Sequence, residues 1–566
     1  MRDQKQEYDA IVVGSGAGGG IAAYVLTLQG LSVLVLEAGR NYDPVSETPM
    51  FQINADAPLN GAATPDKPAG FYDATVDGGF DIPGEPYTVA PGSRFQWWRA
   101  RMLGGRTNHW SRITLRYGPR DFRTYSRRGV GVDWPIAYED LASYYDRVER
   151  LIGVFGAAEG IENSPDSSPG ILLPPPPMHA HELWMQMALG KKMGIRVVPS
   201  HVAVLTRPLN GRQACLYATP CARGCAIRAN FQSPTVLLAP ALTTGRLKIR
   251  HGAMAYEIPL SKNGRAAGVR YVDRTSGAQH FARGRSVVLA ASTCESARIL
   301  LNSRSAAFPQ GLANSSGEVG HNLTDSPNFG VAGDIPVLQG LSPFNDDGTS
   351  ISHAYVPWWG HQDQASGRIP FTGECYIEIL GGRQMPAVEN FGAVPMEGGK
   401  PLYGQALRDR LRNEYGSKLF LWTHGGMIPN ADSRCEIDPD VKDRWGIPVL
   451  RFHWKWGAPE YEQTRYVTAI LREMISTMGG RVTYAPGELL MDGGEAFHEV
   501  GTARMGSSPR DSVLNAFGHA WDVRNLYVAD GAGFAGHACK NPTETIMALA
   551  WRACDHLAES LMRKEI

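Results

Sequence analysis

The sequence predicts an α/β fold that begins with a Rossmann-like βαβ unit and continues into a second large domain. The first 37 residues contain, in order, an apolar strand, a glycine-rich turn, a helix, a second strand and an acidic residue. The whole chain has 566 residues, of which 43% are apolar and 20% charged, the balance of ordinary soluble globular proteins. A chain of this length fills more than one core.

The N-terminal unit predicts a dinucleotide-binding site. Its parts are a strand at 8–13, the turn glycines Gly14, Gly16 and Gly19, a helix at 21–29, a strand at 32–36 and Glu37. The glycines permit a tight turn and let backbone N–H groups at the helix start approach a pyrophosphate. Glu37 ends the second strand, where a carboxylate binds a ribose hydroxyl and disfavours a 2′-phosphate. These residues alone do not separate FAD from NAD.

The charge balance gives no reason to expect nucleic acid or an anionic membrane as a partner. Lys plus Arg and Asp plus Glu both number 56, so the formal net charge is zero. The uncharged stretch 10–36 contains six glycines, and we interpret it as a soluble βαβ unit rather than a transmembrane segment. The start, MRDQKQEYDA, lacks an apolar signal core. We therefore expect either a cytoplasmic protein or a periplasmic one exported with a signal-bearing partner.

Several distant segments carry a family resemblance. They are GGRTNHW at 104–110, HEVGTARMG at 498–506, NLYVADG at 525–531 and NPTETIM at 541–547, with further likeness at 286–303 and 319–323. Together with the N-terminal unit, they resemble the glucose-methanol-choline (GMC) oxidoreductases, whose cofactor is FAD. Within that family the chain is most similar to bacterial FAD-dependent sugar and glycoside 3-dehydrogenase catalytic subunits and to the pyranose-oxidase-like branch.

The resemblance implies the GMC fold, a Rossmann-like FAD-binding domain interleaved with an α+β substrate-binding domain. The implied FAD-binding segments are 1–45, 90–125, 205–335 and 485–566. The implied substrate-binding domain, with its lid and arm segments, covers 46–89, 126–204 and 336–484. Helical spacing of apolar residues also predicts an amphipathic helix at 138–153.

His498 and Asn541 are the catalytic candidates. The resemblance implies that His498 faces the flavin N5 and that Asn541 occupies a second position held by His or Asn in the family. Alcohol oxidation requires a base for the hydroxyl proton, and histidine is well suited to that task near neutral pH. Asn541 can donate a hydrogen bond to the developing alkoxide and stays neutral.

Other interpretations of these residues remain open. His498 in a glycine-rich segment is also compatible with a buried structural histidine. The order Asn541, Pro542, Thr543, Glu544 is that of a helix N-cap with proline at the first position and a capping-box glutamate. His537 is a reserve candidate for the base, whereas His109, His424 and His519 are weaker ones.

Further FAD contacts follow from the resemblance. They are Gly105, Asn108, His109, Asp530 and Thr543, in addition to the N-terminal residues. His109 matches the histidine that carries a covalent flavin in the pyranose-oxidase-like branch, so it either bonds covalently to FAD or contacts it through a hydrogen bond. Asp530 is also compatible with a strand-end turn. A helix beginning near Thr543 would direct its positive end toward the reduced flavin.

Three cysteines lie within eleven residues, at Cys215, Cys221 and Cys225. No histidine lies between 202 and 250 to complete a zinc site, and three thiolates are one short of a common cubane cluster. If they bind no metal, they are reduced structural thiols or one disulfide with a third cysteine left over. Their spacing resembles that of the membrane-associated sugar dehydrogenase branch, which implies a 3Fe-4S cluster passing electrons from FAD onward. That branch also implies a small partner subunit and a cytochrome or quinone-type acceptor.

The predicted function is therefore an FAD-dependent dehydrogenase for a secondary or anomeric hydroxyl of a sugar or glycoside, with C3 of a glycoside as one position. An oxygen-dependent pyranose or glycoside oxidase that forms hydrogen peroxide would use the same His498 and Asn541 but no cluster. A flavoprotein without net redox turnover, or a lyase, is a third alternative. Reduction of the flavin by an alcohol would exclude this last class.

Overall fold

A first sheet combines strands from the N-terminus, from residues 247–289 and from the C-terminal segment. A computed structural model describes residues 6–47, 78–216, 225–341, 352–382, 396–397, 399–487 and 490–566. In spatial order the first sheet contains Leu247–Arg250, Val33–Leu36, Glu7–Val13, Gln279–Leu289, Gly268–Asp273 and Ala253–Glu257, with Leu526–Val528 also paired to Gln279–Leu289. The strands at 7–13, 33–36, 247–250 and 526–528 run parallel to their neighbours. Residues far apart in sequence therefore meet at one carboxyl edge.

Two long helices cover one face of this sheet. Ala17–Leu28 and Thr543–Met562 pack against each other, and their buried residues include Ile21, Val25, Met547 and Ala550. The strand at 7–13 is buried from Ala10 to Val13, as expected for a parallel strand covered on both faces.

A second, antiparallel sheet is built from the middle of the chain. Its spatial order is Arg481–Tyr484, Asn328–Asp334, Lys418–Gly425, Cys375–Gly381, Ala354–Val356 and Val198–Pro199. Helix Ala458–Thr477 packs on it, with Val467, Leu471 and Ile475 buried. Because side chains alternate along each strand, the opposite face can present a separate row of residues to the first domain.

The remaining described elements are short or peripheral. Arg434–Lys442, Pro448–His453 and Thr88–Val89 form a third sheet, and the pairs Gly78–Gly79 with Arg99–Ala100 and Met396–Glu397 with Lys400–Pro401 form ribbons. The other α-helices are Pro44–Glu47, Thr124–Arg128, Glu139–Ile152, Ala180–Met193, Ala239–Thr243, Thr293–Asn302, His361–Ala365 and Gly404–Glu414. Pro234–Leu238 is a π-helical turn, and Gly105–Asn108, Pro336–Leu338 and Gly531–Gly533 are 3-10 turns.

The predicted βαβ unit and amphipathic helix are confirmed. The strands cover Glu7–Val13 and Val33–Leu36, and the predicted helix at 138–153 covers Glu139–Ile152. The first helix begins at Ala17 rather than at 21, since the glycine-rich turn itself supplies its first residues. Within the described parts of the chain, no helix combines the length and apolar character needed to cross a membrane.

Candidate active site

The glycines of the N-terminal turn have different surroundings. A Cβ added at Gly14, where φ is +94°, would lie 2.3 Å from the carbonyl oxygen of Ala290, and one added at Gly19 would lie 2.0 Å from that of Gly14. Neither position tolerates a side chain. By contrast, a Cβ at Gly16 would meet only the carbonyl oxygen of Gly104, at 3.9 Å. Gly14 and Gly19 therefore serve close packing, whereas Gly16 borders open space at the start of the helix.

The turn at 104–108 lies against this open space. The backbone N–H of Gly104 donates to Oγ of Ser15 at 2.8 Å, and a Cβ at Gly105 would meet only Cα of Gly16, at 3.9 Å. Asn108 supports the turn by donating from Nδ2 to the carbonyl oxygen of Leu103 at 2.8 Å. Gly16 and Gly105 thus form two sides of one cradle, as a bound pyrophosphate requires.

Glu37 is buried at the end of its strand, beside the cradle. Its Oε2 accepts hydrogen bonds from the hydroxyl and the backbone N–H of Ser15, the latter at 3.1 Å, and its Oε1 accepts from the backbone N–H of Gly39 at 2.7 Å. Burial raises the pKa of Glu37, and these bonds together with the Arg101 charge oppose the shift. The carboxyl group is therefore held in a fixed orientation.

Asp530 follows strand Leu526–Val528, which pairs with Gln279–Leu289 in the first sheet. Its Oδ1 accepts from the backbone N–H of Ala532 at 2.9 Å, and its Oδ2 accepts from Ser292 N at 3.0 Å and Ser296 Oγ at 2.6 Å. Burial raises the pKa of Asp530 to about 6, against the effect of those bonds. Asp530 thus joins the end of strand Leu526–Val528 to the start of helix Thr293–Asn302, the turn role that the sequence left open.

His109 follows the 104–108 turn and is buried. Its Nε2 accepts a hydrogen bond from Nε1–H of Trp98 at 3.2 Å, which places the ring hydrogen on Nδ1. Burial, with the charges of Arg112 and Arg106, lowers the pKa of His109 to about 3. The imidazole is therefore neutral, and its Nε2 lone pair already accepts a hydrogen bond from Trp98, so it is not available to take a proton from a substrate.

His498 and Asn541 lie next to each other although they come from different segments. Nδ2 of Asn541 is 3.3 Å from Nε2 of His498. On the other side of the ring, Nδ1 of His498 is 3.0 Å from Oγ of Ser326, which in turn is 3.4 Å from Nε2 of His537. If the ring hydrogen is on Nδ1, Ser326 accepts it and donates its own to His537. Nε2 of His498 then has a lone pair, which faces the Nδ2 group of Asn541.

The capping-box prediction for Asn541 is wrong. Helix Thr543–Met562 begins after Pro542, which holds the N-cap position without a side-chain cap bond. The amide of Asn541 instead contacts His498 and accepts at Oδ1 a 2.6 Å hydrogen bond from Tyr376. Glu544 is buried beside Glu149 and Arg116, and burial raises its pKa well above the ordinary value. The side chain of Asn541 therefore bonds to residues distant in sequence instead of capping the helix. Thr543, partly buried, is the first residue of the helix.

Sequence reasoning missed the residues that hold His498. Asp325 accepts hydrogen bonds from three backbone N–H groups of the loop, at Gly494 (2.8 Å), Ala496 (3.2 Å) and His498 (2.9 Å). Asp325 and Ser326 follow the recognised segment 319–323, and Thr324 pairs with Val500. The only signal in the sequence is their position directly after the segment 319–323, because the pairing that brings residues 325 and 326 alongside 498 is seen only in the structure.

Burial is the main reason that the His498 ring is neutral. Burial, followed by the charges of His424, His537 and Arg106, lowers the pKa of His498 well below its usual value near 6.5. The pKa of His537 is lowered to about 3, mainly by burial. His424 stands 5.2 Å from His498 between ring centroids. His519 lies elsewhere, with Nε2 at 2.7 Å from the carbonyl oxygen of Arg524.

Two of the three clustered cysteines are described. Cys215 is partly exposed, and its backbone N–H donates to the carbonyl oxygen of Leu205 at 2.8 Å. Cys225 is buried, and its backbone N–H donates to Oε1 of Gln232 at 3.1 Å. Cys221 lies outside the described residues. The metal-cluster prediction for these cysteines stays a prediction.

These residues fit the predicted FAD. The cradle between Gly16 and Gly105 is open where a side chain would fill it, and Glu37 lies at the strand end where the ribose is expected. Arg106 of the same turn donates to the carbonyl oxygen of Phe497 and to Glu499, the two neighbours of His498 in the sequence. A basic lone pair beside an amide N–H suits proton removal from an alcohol. This arrangement can hold a dinucleotide beside a pair of groups able to bind and deprotonate a hydroxyl.

Comparisons with known proteins agree with this chemistry. Family models described as GMC oxidoreductase match residues 8–328 and 429–550. The chain is 30% identical over 564 residues to 2-methyl-1,2-propanediol dehydrogenase of Mycolicibacterium austroafricanum, covering 99% of this chain and 96% of that protein. It is 25% identical over 575 residues to the fructose dehydrogenase large subunit of Gluconobacter japonicus, covering 99% of each.

A solved structure supports the same fold. Pyridoxine 4-oxidase from Mesorbium loti aligns with a TM-score of 0.59 and 16% identity, covering 97% of this chain and 98% of that one. The family matches extend over most of the chain, and they include both the glycine cradle and the segment with His498 and Asn541. The chain belongs to the GMC oxidoreductase family and is an FAD-dependent enzyme that oxidises CH–OH groups.

Proposed function

We propose that the protein is a dehydrogenase that oxidises a secondary or anomeric hydroxyl of a sugar or glycoside to a carbonyl. The observation that carries this proposal is the 3.3 Å approach of the Asn541 amide to Nε2 of His498. Two groups this close can both hydrogen-bond to one hydroxyl oxygen that lies beside them. Bound FAD supplies the hydride acceptor.

In this proposal His498 takes the hydroxyl proton at Nε2. Its lowered pKa keeps that lone pair available at neutral pH, and Ser326 fixes the ring through Nδ1. Asn541 donates from Nδ2 to the oxygen as negative charge develops on it, and the amide does not compete for the proton. Gly14, Gly16, Gly19, Glu37, Gly105, Asn108, His109, Asp530 and Thr543 are the proposed FAD contacts. Covalent attachment through His109 remains part of the proposal.

The substrate class is supported by the relatives. One is named a fructose dehydrogenase large subunit and another a dehydrogenase of a small diol, so both names specify oxidation of a hydroxyl. A sugar is the substrate class proposed here, with C3 of a glycoside as one position. A subunit name in a full-length relative also supports a small partner subunit for this chain.

The proposed electron route runs through a 3Fe-4S cluster on Cys215, Cys221 and Cys225 to a cytochrome or quinone-type acceptor. This route is supported by the position of Cys225 relative to the proposed flavin contacts. Gln232, which accepts from the Cys225 backbone, lies with Nε2 at 3.4 Å from Oδ1 of Asn108, the residue before His109. One polar side chain therefore separates this cysteine from the proposed flavin contacts.

The experiment is an anaerobic absorbance and electron paramagnetic resonance titration of purified protein with glucose, fructose and methyl glucosides. Bleached flavin bands with a changing iron–sulfur signal are the expected result. Bleaching without an iron signal, followed by reoxidation in air with peroxide formed, would replace the dehydrogenase with an oxidase. Absence of bleaching with every sugar would contradict the substrate class.

A further inference from the structure

A row of polar residues on the second sheet faces the catalytic pair. Tyr376 and Glu378 are two residues apart on strand Cys375–Gly381 and so share one face. On the neighbouring strand His424 is directly opposite Tyr376 in the register, and the two rings stack at 5.0 Å between centroids. All three side chains are buried, with 2%, 6% and 6% exposure respectively. Buried polar groups of this kind require defined partners.

Tyr376 connects this row of polar residues to Asn541 by a hydrogen bond. The phenol oxygen of Tyr376 is 2.6 Å from Oδ1 of Asn541 and 2.7 Å from Oε1 of Glu378. Oε1 of Glu378 is also 3.0 Å from Nε2 of His424. A phenol has a single hydrogen, so Glu378 competes with Asn541 for it. Burial, with the neighbouring carboxylate, raises the pKa of Tyr376 well above 10, so this hydrogen is retained.

The direction of the Asn541 amide decides whether His498 can act as the base. With Oδ1 bound to the phenol, the NH2 group of Asn541 faces Nε2 of His498 and is compatible with a lone pair there. In the reverse orientation Oδ1 faces Nε2, which then has to carry a hydrogen. The reverse orientation also directs an acceptor, rather than a donor, toward the developing alkoxide.

We propose that Tyr376 is a positioning residue that fixes the reactive orientation of the Asn541 amide through its hydrogen bond to Oδ1. This inference rests on the proposed roles of His498 and Asn541. Glu378 and His424 hold the phenol in place from the other side. The inference adds a positioning residue, supplied by the second sheet, to the two catalytic residues from the C-terminal segment.

The test compares Tyr376→Phe with Tyr355→Phe in the FAD-loaded protein. Tyr355 is a matched control: it is 5% exposed, lies on the adjacent strand Ala354–Val356 with its ring 6.0 Å from Tyr376, and its hydroxyl contacts Ser164 instead. We expect Tyr376→Phe to lower kcat about 10- to 50-fold, with KM changed less than about twofold. This loss is smaller than that expected on removing the hydrogen-bond donor to the alkoxide itself. Tyr355→Phe should leave kcat within about twofold.

Two further variants test the route through Asn541. In an Asn541→Ala background, Tyr376→Phe should cause no additional loss of kcat, because there is no amide left to orient. Glu378→Gln should lower kcat less than Tyr376→Phe does, because a glutamine amide can still hold the phenol by donating to its oxygen. Additive losses, or a Glu378→Gln loss as large as that of Tyr376→Phe, would overturn the inference.

A second readout is independent of turnover. In protein labelled with 15N-histidine, with His498→Gln for assignment, His498 should be protonated at Nδ1 and unprotonated at Nε2 in the wild type. Tyr376→Phe should introduce the Nε2–H tautomer, and Tyr355→Phe should not. An unchanged tautomer in Tyr376→Phe overturns the inference whatever the activity. A wild type with the expected tautomer but no reaction with any alcohol contradicts the proposed function instead.

Discussion

Nε2 of His498 lies 3.3 Å from Nδ2 of Asn541, although 43 residues separate them in the sequence. The loop with His498 is held by Asp325, and the amide of Asn541 is held by Tyr376. Asp325 lies in the segment after 319–323, and Tyr376 lies on the second sheet. The pair therefore depends on both parts of the fold.

Asn541→Ala should lower kcat about 10²-fold, the loss typical of removing one hydrogen-bond donor to a developing oxyanion. Asn541→Asp should be more damaging, because a carboxylate repels negative charge on the substrate oxygen and stabilises protonated His498. Steady-state kcat for both variants, at equal flavin content, checks this. Equal or higher kcat in Asn541→Asp would contradict the donor role.

The pH dependence follows from the lowered pKa of His498. A base must be unprotonated in the free enzyme, so kcat/KM should be constant from neutral pH down past 6.5 and fall only in a more acidic range. The profile of kcat/KM between pH 4 and 8 measures this acid limb, with buffers matched for ionic strength. An acid limb at or above about 6.5, the ordinary histidine value, would show that the ring is not the buried neutral base described.

The lowered pKa values of two other buried histidines affect the stability of the protein. His109 and His537 have folded pKa values near 3, below the unfolded value near 6.5, so the unfolded chain binds protons first as pH falls. Each should remove about 1.4 kcal/mol of unfolding free energy per pH unit below about 6.5, until the folded pKa is reached. Urea unfolding at pH 7, 6 and 5 should show a weaker pH dependence in His537→Gln than in the wild type. Identical slopes would contradict the burial of neutral His537.

Two glycine variants separate cofactor binding from folding. Gly16→Val places its side chain in the open cradle and should give a folded protein without FAD, since no protein atom obstructs it closely. Gly19→Val should not fold, because its Cβ would lie 2.0 Å from the Gly14 carbonyl oxygen. Circular dichroism and the flavin-to-protein absorbance ratio distinguish the outcomes. Full FAD content in folded Gly16→Val would place the pyrophosphate elsewhere.

Asp325→Ala should loosen the loop that carries His498. It leaves three backbone N–H groups without their acceptor, at a cost of about 1–3 kcal/mol for each that remains buried. We expect a lower melting temperature and a lower kcat together, with FAD retained. Asp511→Asn, at an exposed position in the same C-terminal region, is the control. A kcat equal to that of the control would contradict the positioning role of Asp325.

The part of the site that sequence could predict is local. Gly14, Gly16, Gly19 and Glu37 follow from spacing within one βαβ unit, because turn, helix start and strand end are fixed by neighbouring residues. His498 and Asn541 were identified as catalytic candidates through the family resemblance. That they lie next to each other could be seen only in the folded structure.

Other contacts were not accessible to sequence. Tyr376 and His424 meet through the register of two antiparallel strands, and no local pattern specifies such a register across a long, irregular middle. The wrong cap prediction has the same cause. The order at 541–544 satisfies a local rule, but the side chain of Asn541 is occupied by Tyr376 and His498.

The most direct measurement is the anaerobic rate of flavin bleaching by a substrate alcohol in wild type and His498→Ala, with FAD content and melting temperature matched. We expect rapid bleaching of the wild type and a rate about 10²- to 10⁴-fold lower in the variant, the range for loss of a general base. His519→Ala, remote from the site, should bleach like the wild type. Bleaching of His498→Ala at the wild-type rate would contradict the central claim that His498 removes the hydroxyl proton.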